Sequence, residues 1–341
     1  VRSGSFHSEK LMRRASQWCF ISSLALAVAI IGSVAASWRL AGAQTPGWPQ
    51  RPVKFIVTLG PGSGVDIGTR LLADRLSARW GQPVVVENRP GGDGIVAITS
   101  FLSAHDDHVL LSAPTSSFTA HPYLHDNLPY KASDLFPIVR VSNTLITICV
   151  PSSLQVTKFA DLIAMARAQP GKLNWAGTTG ALDFAFAGFL QTNKLEMTKV
   201  PYRNPVEAAN DLAEGRVQVY EAALAIVRPQ LEAGRIKPLL ITNSVRAPTL
   251  PDVPMAAEAG HPELSFDGLV GFFGPPGMTL DLRKRIADDV RAIADASVGQ
   301  RLIATGQILN VGGPTEFAQA IEAQRKRLAE LARDLGLKPS Q

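Results

Sequence analysis

Apolar positions along this chain change rhythm in a regular way. From Val53 to Val57 they form a short continuous run, the mark of a strand. From Asp66 to Trp80 they recur as Ile67, Leu71, Leu72, Leu76 and Trp80, a stripe down one side of a helix. Val84-Val85-Val86 reads as a second, buried strand. The turn-rich Pro90-Gly91-Gly92-Asp93-Gly94, a helix to Ser103 and a strand from Val109 to Ser112 follow. A second series begins after Val150-Pro151. Its helices are predicted over Lys158–Ala168, Leu182–Gln191, Pro205–Glu214 and Ile226–Ala233. Its strands are predicted over Leu173–Ala176, Lys199–Pro201, Val217–Tyr220 and Lys237–Thr242. An apolar stretch from Gly268 to Gly274 then leads through Pro275-Pro276-Gly277 into two C-terminal helices, Leu280–Ala296 and Thr315–Leu335. Strand–helix alternation of this kind predicts an α/β protein with mostly parallel sheets covered by helices. Two such series predict two lobes. Extended crossings near Ile146–Val150 and Leu269–Phe273 would join them, with the C-terminal helices returning to the first lobe.

The N-terminal stretch has a different pattern. Lys10 and Arg13–Arg14 precede a charge-free apolar run from Cys19 to Ala36, and Ala41-Gly42-Ala43 follows. Basic start, apolar centre and small-x-small exit are the parts of a secretory signal peptide. Cleavage is expected after Ala43, so the mature chain would begin at Gln44 in the periplasm. A single membrane anchor is the alternative, since about 18 apolar residues can just span a bilayer. The expected organisation is therefore a signal peptide over 1–43, a discontinuous first lobe over 44–147 plus 269–341, and a second lobe over 148–268.

Removing the leader changes the charge argument. The whole chain carries a formal +5, of which Arg2, Lys10, Arg13, Arg14 and Arg39 against Glu9 account for +4, leaving +1. The basic character belongs largely to the leader, and no clustered basic patch points to nucleic acid. Cys19 lies in the leader, so Cys149 has no partner in the mature chain. Neither a disulfide framework nor a CxxC spacing is present.

Candidate chemistry sits in two loops. Thr58-Leu59-Gly60-Pro61-Gly62-Ser63-Gly64-Val65-Asp66 links a strand to a helix, where glycines allow close backbone approach and a helix N-terminus offers free N–H groups. It suits a carboxylate or phosphate. The plain alternative is a tight turn with Asp66 as helix cap. It is neither a P-loop nor a GxGxxG dinucleotide loop. The second series holds a counterpart, Ala176-Gly177-Thr178-Thr179-Gly180. One loop per lobe describes a cleft that presents N–H and O–H donors to one anion, the geometry of a hinge-closing binding protein. His105-Asp106-Asp107-His108, and His121 with His125, supply metal-ligand types, but no HExxH occurs and the first group reads as an exposed turn. Ser63 lacks the GxSxG elbow because Pro61 stands in the first glycine's place, and Cys149 lies within an apolar strand. No catalytic residue, cofactor or metal is expected.

Several phrases together resemble the Bug/TctC-type periplasmic solute-binding receptors, the extracytoplasmic components of tripartite tricarboxylate transporters. They are Trp48-Pro49-Gln50-Arg51-Pro52-Val53, the glycine-rich loop from Thr58 to Asp66, and Gly81-Gln82-Pro83-Val84-Val85-Val86-Glu87-Asn88-Arg89-Pro90-Gly91. Val200-Pro201-Tyr202-Arg203, Asp211-Leu212-Ala213-Glu214-Gly215-Arg216-Val217, Leu250-Pro251-Asp252-Val253-Pro254 with Glu258-Ala259-Gly260, and Gly274-Pro275-Pro276-Gly277 complete the match. The resemblance implies a two-lobed Venus-flytrap fold. It also implies a ligand carboxylate held between the first loop and the 177–183 loop. The expected ligand-binding residues are Thr58, Gly60, Gly62, Ser63, Gly64, Asp66, Gly177, Thr178, Thr179, Gly180, Asp183 and Tyr202. Asp66 and Asp183 are also candidates for a ligand ammonium group. The chain departs from the family pattern at both loops: the first is usually Pro-Phe-Pro-Pro-Gly-Gly, and Asp183 stands where a His is common.

The expected function is capture of a small organic anion, a carboxylate, by a monomeric, non-enzymatic receptor. Delivery would be to the large and small permease subunits of a tripartite transporter. The alternatives are the same receptor serving a membrane sensor kinase, or a secreted α/β hydrolase or transferase.

Overall fold

The computed structural model describes residues 47–177, 180–202 and 204–339. The expected leader, and with it the cleavage site, lies outside the described residues. The chain divides into a unit of residues 1–50 and a unit of residues 51–341, and all described helices and strands belong to the second.

In the first part of that unit, β1 (Val53–Val57), α1 (Gly64–Trp80), β2 (Val84–Asn88), α2 (Ile95–Ala104) and β3 (Val109–Pro114) alternate, and short helices α3 (Ser116–Thr119) and α4 (His121–Leu124) follow. Next come β4 (Phe136–Thr144), β5 (Ile146–Pro151), α5 (Phe159–Ala168), β6 (Asn174–Gly177), α6 (Ala181–Thr192), β7 (Thr198–Lys199), α7 (Pro205–Ala213), β8 (Val219–Ala223), α8 (Leu224–Glu232) and β9 (Ile236–Ile241). The chain closes with β10 (Gly268–Gly274), α9 (Leu280–Ile293), α10 (Ala296–Ala304), β11 (Gln307–Gly312) and α11 (Pro314–Asp334). The strands form two sheets, ordered β11-β4-β10-β3-β1-β2 and β7-β6-β8-β5-β9. The fold is α/β and two-lobed, each lobe a mixed sheet flanked by helices.

Local chemistry sets the element ends. The Ser63 hydroxyl caps α1 by accepting from Asp66 N, and Gly81, at φ 65°, ends it. Asn204 caps α7 with Pro205 as its first residue, and Asp295 caps α10. The α9–α10 break at Ala294 and Asp295 replaces the single helix predicted to Ala296. The Val84–Val86 run is also corrected. It forms an edge strand with Val85 half exposed, because β2 has a neighbour on one side alone.

Three of the five pairings in the six-stranded sheet and two of the four in the other are antiparallel, against the mostly parallel expectation, and strand direction explains why. β1–β3 pair in parallel, as do β6, β7 and β8. β10 runs against β3 and β4, β11 against β4, and β5 against β8 and β9. β5 and β10 each begin where the chain has just crossed between sheets, so they must run away from the crossing while their neighbours run toward it.

Both crossings lie ahead of the apolar runs that suggested them. The first is Leu145, between β4 and β5, and the second is the 242–267 connection before β10. Asn243, buried to 1% exposure, ties them together. Its amide accepts from Ile146 N and donates to Thr144 O, both at 2.8 Å. Leu145 N donates to Gly306 O, and Leu224 N donates to Leu145 O, so the crossing residue is bonded into both lobes.

The first lobe's core packs Phe118, Phe273 and Phe317 with Ile98, Phe101 and Leu111. The second lobe's gathers Trp175, Phe186 and Phe189 around Ile148 and Leu240. Each such aromatic, fully buried, stabilises the fold by about 1.5–3 kcal/mol. A third cluster joins the lobes, with Leu328 and Leu331 of α11 against Leu182, Phe184 and Ala185 of α6. Cys149 is wholly buried, and its thiol is pushed up to about 12 by burial.

Asn243→Ala would strand the Ile146 N–H and the Thr144 carbonyl. It is expected to destabilise the protein by about 3 kcal/mol, the sum of two buried groups left unpaired. Urea unfolding checks this, and a loss below about 0.5 kcal/mol, the range of ordinary surface changes, would remove Asn243 from that role.

Candidate functional site

The loops after β1, β2 and β3 stand beyond the carboxyl ends of those strands, the usual ligand position in α/β sheets. They face Gly180, Leu182 and Pro205 and the end of β8 at Ala223, and the crossings supply Thr144, Ile146, Phe266 and Gly268. Together they enclose a cleft of about 550 Å³.

Thr58 and Gly60 line the cleft from the first loop and Gly180 from the second. Thr58 is buried to 1% exposure, and its hydroxyl has no hydrogen-bond partner among the described residues. Gly180 adopts φ 98°, and an added Cβ would sit 3.3 Å from Ser116 O, so the two lobes meet closely there. Gly62, Ser63 and Gly64 turn away into the start of α1. Ser63, not Asp66, is that helix's cap.

Asp66 faces inward and holds the first loop from behind. Its carboxylate accepts from Gly62 N at 2.9 Å, Asn88 Nδ2 at 2.8 Å and Arg70 Nε at 2.9 Å. Asn88 Nδ2 also donates to Leu59 O. Burial alone would raise its pKa, but the Gly62 and Asn88 hydrogen bonds and the Arg70 charge prevail and hold it below the usual carboxylate range.

Gly177, Asp183 and Tyr202 stand outside the lining. Asp183 pairs with Lys199 Nζ at 2.8 Å. Its Oδ1 lies 2.2 Å from where a Gly177 Cβ would be, so that position must be glycine. Burial pushes the Asp183 carboxyl up against the pull of Lys199. Glu221, fully buried and in register with Gly177, is pushed well above the usual range by burial and then by Asp183. Tyr202 donates to Asp211 Oδ2 at 2.7 Å, a frame contact of the second lobe. Thr178, Thr179 and Arg203 lie outside the described residues.

A third wall was not assigned to the site from the sequence: the 90–94 turn, Ser116, Ser117 and His121. Gly92 and Asp93 are both left-handed, at φ 53° and 54°, and Gly94 N closes on Gly91 O at 3.0 Å, a type I′ arrangement. Gly94 fits because a Cβ there would press on Thr58 and Ser117 at 3.3 and 3.4 Å. His121 anchors the turn from inside. It is buried, its Nδ1 and the Tyr130 hydroxyl share a hydrogen bond, and its ring lies against the Asp93 backbone. Burial, and then neighbouring His125, lower its pKa to about 4, so it is neutral at pH 7. The sequence signal for this wall was a glycine-rich turn directly after a strand.

Asp106, Asp107 and His108 bring their ligand atoms within 4.8 Å of one another. Arg51 and His108 N already engage Asp106 Oδ1, and Asp107 bonds the His108 ring, as in a tied turn.

Comparison with known proteins places this geometry. The model of the tripartite tricarboxylate transporter family receptor matches residues 69–337. The chain belongs to this receptor family. It is 27% identical over 300 residues to protein BugT of Bordetella pertussis, covering 85% of this chain and 91% of that one. A structure of an R. palustris protein with adipate superposes with TM-score 0.76 at 29% identity, covering 86% of this chain and all of that one. Another, described as a periplasmic transporter, gives TM-score 0.74 at 26% identity, covering 86% and 99%. Members of the family are periplasmic solute-binding proteins. Among the described residues of this receptor, no helix is long and apolar enough to cross a membrane.

His121 makes a pH prediction. Its folded pKa lies below the unfolded value near 6.5, so the unfolded chain binds the proton first. Its contribution is fully present above the unfolded pKa and is lost as pH falls from 6.5 toward 4. Glu221 acts in the opposite direction, so a difference between proteins is needed. Between pH 7 and pH 5, wild type should lose about 2 kcal/mol more stability than His121→Gln. Denaturation curves at the two pH values measure this, and equal losses would contradict a neutral buried His121.

Proposed function

We propose that this receptor captures a small organic acid by its carboxylate and delivers it to a tripartite membrane transporter, without catalysing a reaction. The observation that carries the reading is the buried, unpartnered Thr58 hydroxyl on the cleft wall, beside the backbone of Gly60 and facing Gly180. A buried hydroxyl without a partner costs about 1–3 kcal/mol, which a ligand oxygen would recover. The relative solved with adipate carries two carboxylates, in keeping with the class. Family membership supports the permease partnership, and the leader read from the sequence supports export to the periplasm.

The 58–66 loop, fixed by Asp66 and Asn88, would present the anion-binding backbone. The 177–183 loop, with Thr178 and Thr179, would close on the ligand from the second lobe. In this reading Gly62, Ser63, Gly64, Asp66, Gly177, Asp183 and Tyr202 hold the two loops in shape. Leu145 and the 242–267 connection form the hinge.

A thermal-shift screen of mono-, di- and tricarboxylates, amino acids, sugars and amines tests the class. A ligand that binds only the folded state stabilises it by about 2.7 kcal/mol at a hundredfold excess over Kd. Hits are expected among acids and none among sugars or simple amines, and Thr58→Val should weaken the best hit by about tenfold. Small-angle scattering should show a smaller radius of gyration with that ligand bound. Sugar hits without acid hits would overturn the reading, and an unchanged profile at saturation would remove hinge closure.

A further inference from the structure

The cleft wall is chemically lopsided. From the second lobe and the crossing, Leu182, Pro205, Ile226 and Phe266 line it with apolar side chains, and from the first lobe Thr58, Asp93, Ser116 and Ser117 bring polar groups. Thr58 offers its unpartnered hydroxyl, and Gly94 packs against both Thr58 and Ser117. Asp93, next in the chain, is one of the residues that line the cleft, and its side chain is half exposed. Its ion contact among the described residues is His125 Nε2 at 3.6 Å, beyond hydrogen-bond length. Among the described lining residues there is no Lys or Arg, and His121 is neutral.

Given the carboxylate reading above, we propose that the ligand is a zwitterionic α-amino acid with an apolar side chain: Thr58 and its loop take the carboxylate, and Asp93 takes the ammonium. Three observations converge on this. The two carboxylates that the sequence suggested for an ammonium are already engaged, Asp66 by Arg70, Asn88 and Gly62, and Asp183 by Lys199. Asp93 is not so engaged, and its backbone is fixed by the type I′ turn and the His121 ring, so it can select by charge. Asp93 directly precedes Gly94, whose missing Cβ would sit 3.3 Å from Thr58, so the Asp93 backbone and Thr58 share one corner of the cleft, which suits a ligand whose two charged groups lie close together. A dicarboxylate would meet Asp93 as a like charge, whereas a zwitterion matches it, and the apolar wall suits the side chain.

Isothermal titration with matched pairs tests this. L-leucine is compared with 4-methylpentanoate, L-phenylalanine with 3-phenylpropanoate, and adipate is run beside them. Each des-amino analogue should bind about tenfold or more weakly than its amino acid, the worth of one charge-assisted hydrogen bond. Adipate should bind more weakly than leucine. Asp93→Asn keeps the turn, since Asn also accepts positive φ, and should bring each pair within about threefold. Circular dichroism confirms that the variant is folded. Des-amino acids or adipate binding as tightly as the amino acids would overturn the proposal and leave the carboxylate reading standing. A preference that survives Asp93→Asn would overturn the role of Asp93. If no acid of any kind binds, the carboxylate reading falls and this inference falls with it.

Discussion

The two crossings between the lobes are tied together by one buried amide. Asn243 accepts from Ile146 N and donates to Thr144 O, so the second crossing is hydrogen-bonded on both sides of Leu145, the first. The Asp267 carboxylate accepts from Asn243 Nδ2 at 3.3 Å and from Ser244 N and Oγ, and Gln324 of α11 donates to Asp267 O. Buried backbone groups must be paired, and a strand that leaves one sheet for another loses its ladder partners at that point. Here a side chain supplies them. The cleft wall at Thr144, Ile146 and Gly268 is therefore built from the same few residues that join the lobes, and ligand and hinge share a boundary.

The joint also orders the rest of the fold. Because β5 and β10 start at it, their neighbours in each sheet end there, and the loops after β1, β2, β3 and β8 all open on one cleft. Two of those loops are held by side-chain contacts. The Asp66–Asn88–Arg70 network holds residues 59–62, and the Tyr130–His121 pair holds the 90–94 turn. A rigid first lobe lets donors be fixed in advance, and less ordering remains for a ligand to impose.

Much of this was legible in the sequence. Val53–Val57, the helix over Asp66–Trp80 and the second series were read in place because apolar periodicity tracks burial, although Ile67 of the predicted stripe is exposed and Val65 is buried in its stead. β4 and β11 escaped because polar residues break up their apolar positions, Arg140, Ser142 and Asn143 in β4 and Gln307 and Asn310 in β11. Ser142 and Asn143 sit inside the sheet at 0% and 2% exposure, and Ser142 bonds Gln307 across the strand pair. Arg140 bonds Asn310 in the same way. A strand held by side-chain hydrogen bonds shows no apolar run. The Ile146–Val150 run was visible, but its meaning was displaced by a few residues: it is the first strand of the second lobe, and the crossing is the single Leu145. At the cleft, Thr58, Gly60 and Gly180 were visible as loop chemistry beside strand ends. Ser116, Ser117 and Asp93 were not, because only tertiary packing brings them to the same corner.

Charge in the second lobe follows the same logic. Glu221 and Asp183 lie beside Gly177, where two ionised carboxylates would set a negative field behind any anion held in front. Burial pushes the Glu221 carboxyl toward its neutral form, and Lys199 balances Asp183 from the other side. The glycine at 177 allows Asp183 to sit so close beneath the backbone. These acids therefore shape the loop without adding a net charge to it. Asp93, on the opposite lobe, is the one acidic residue among the described residues that line the cleft, and its side chain is half exposed.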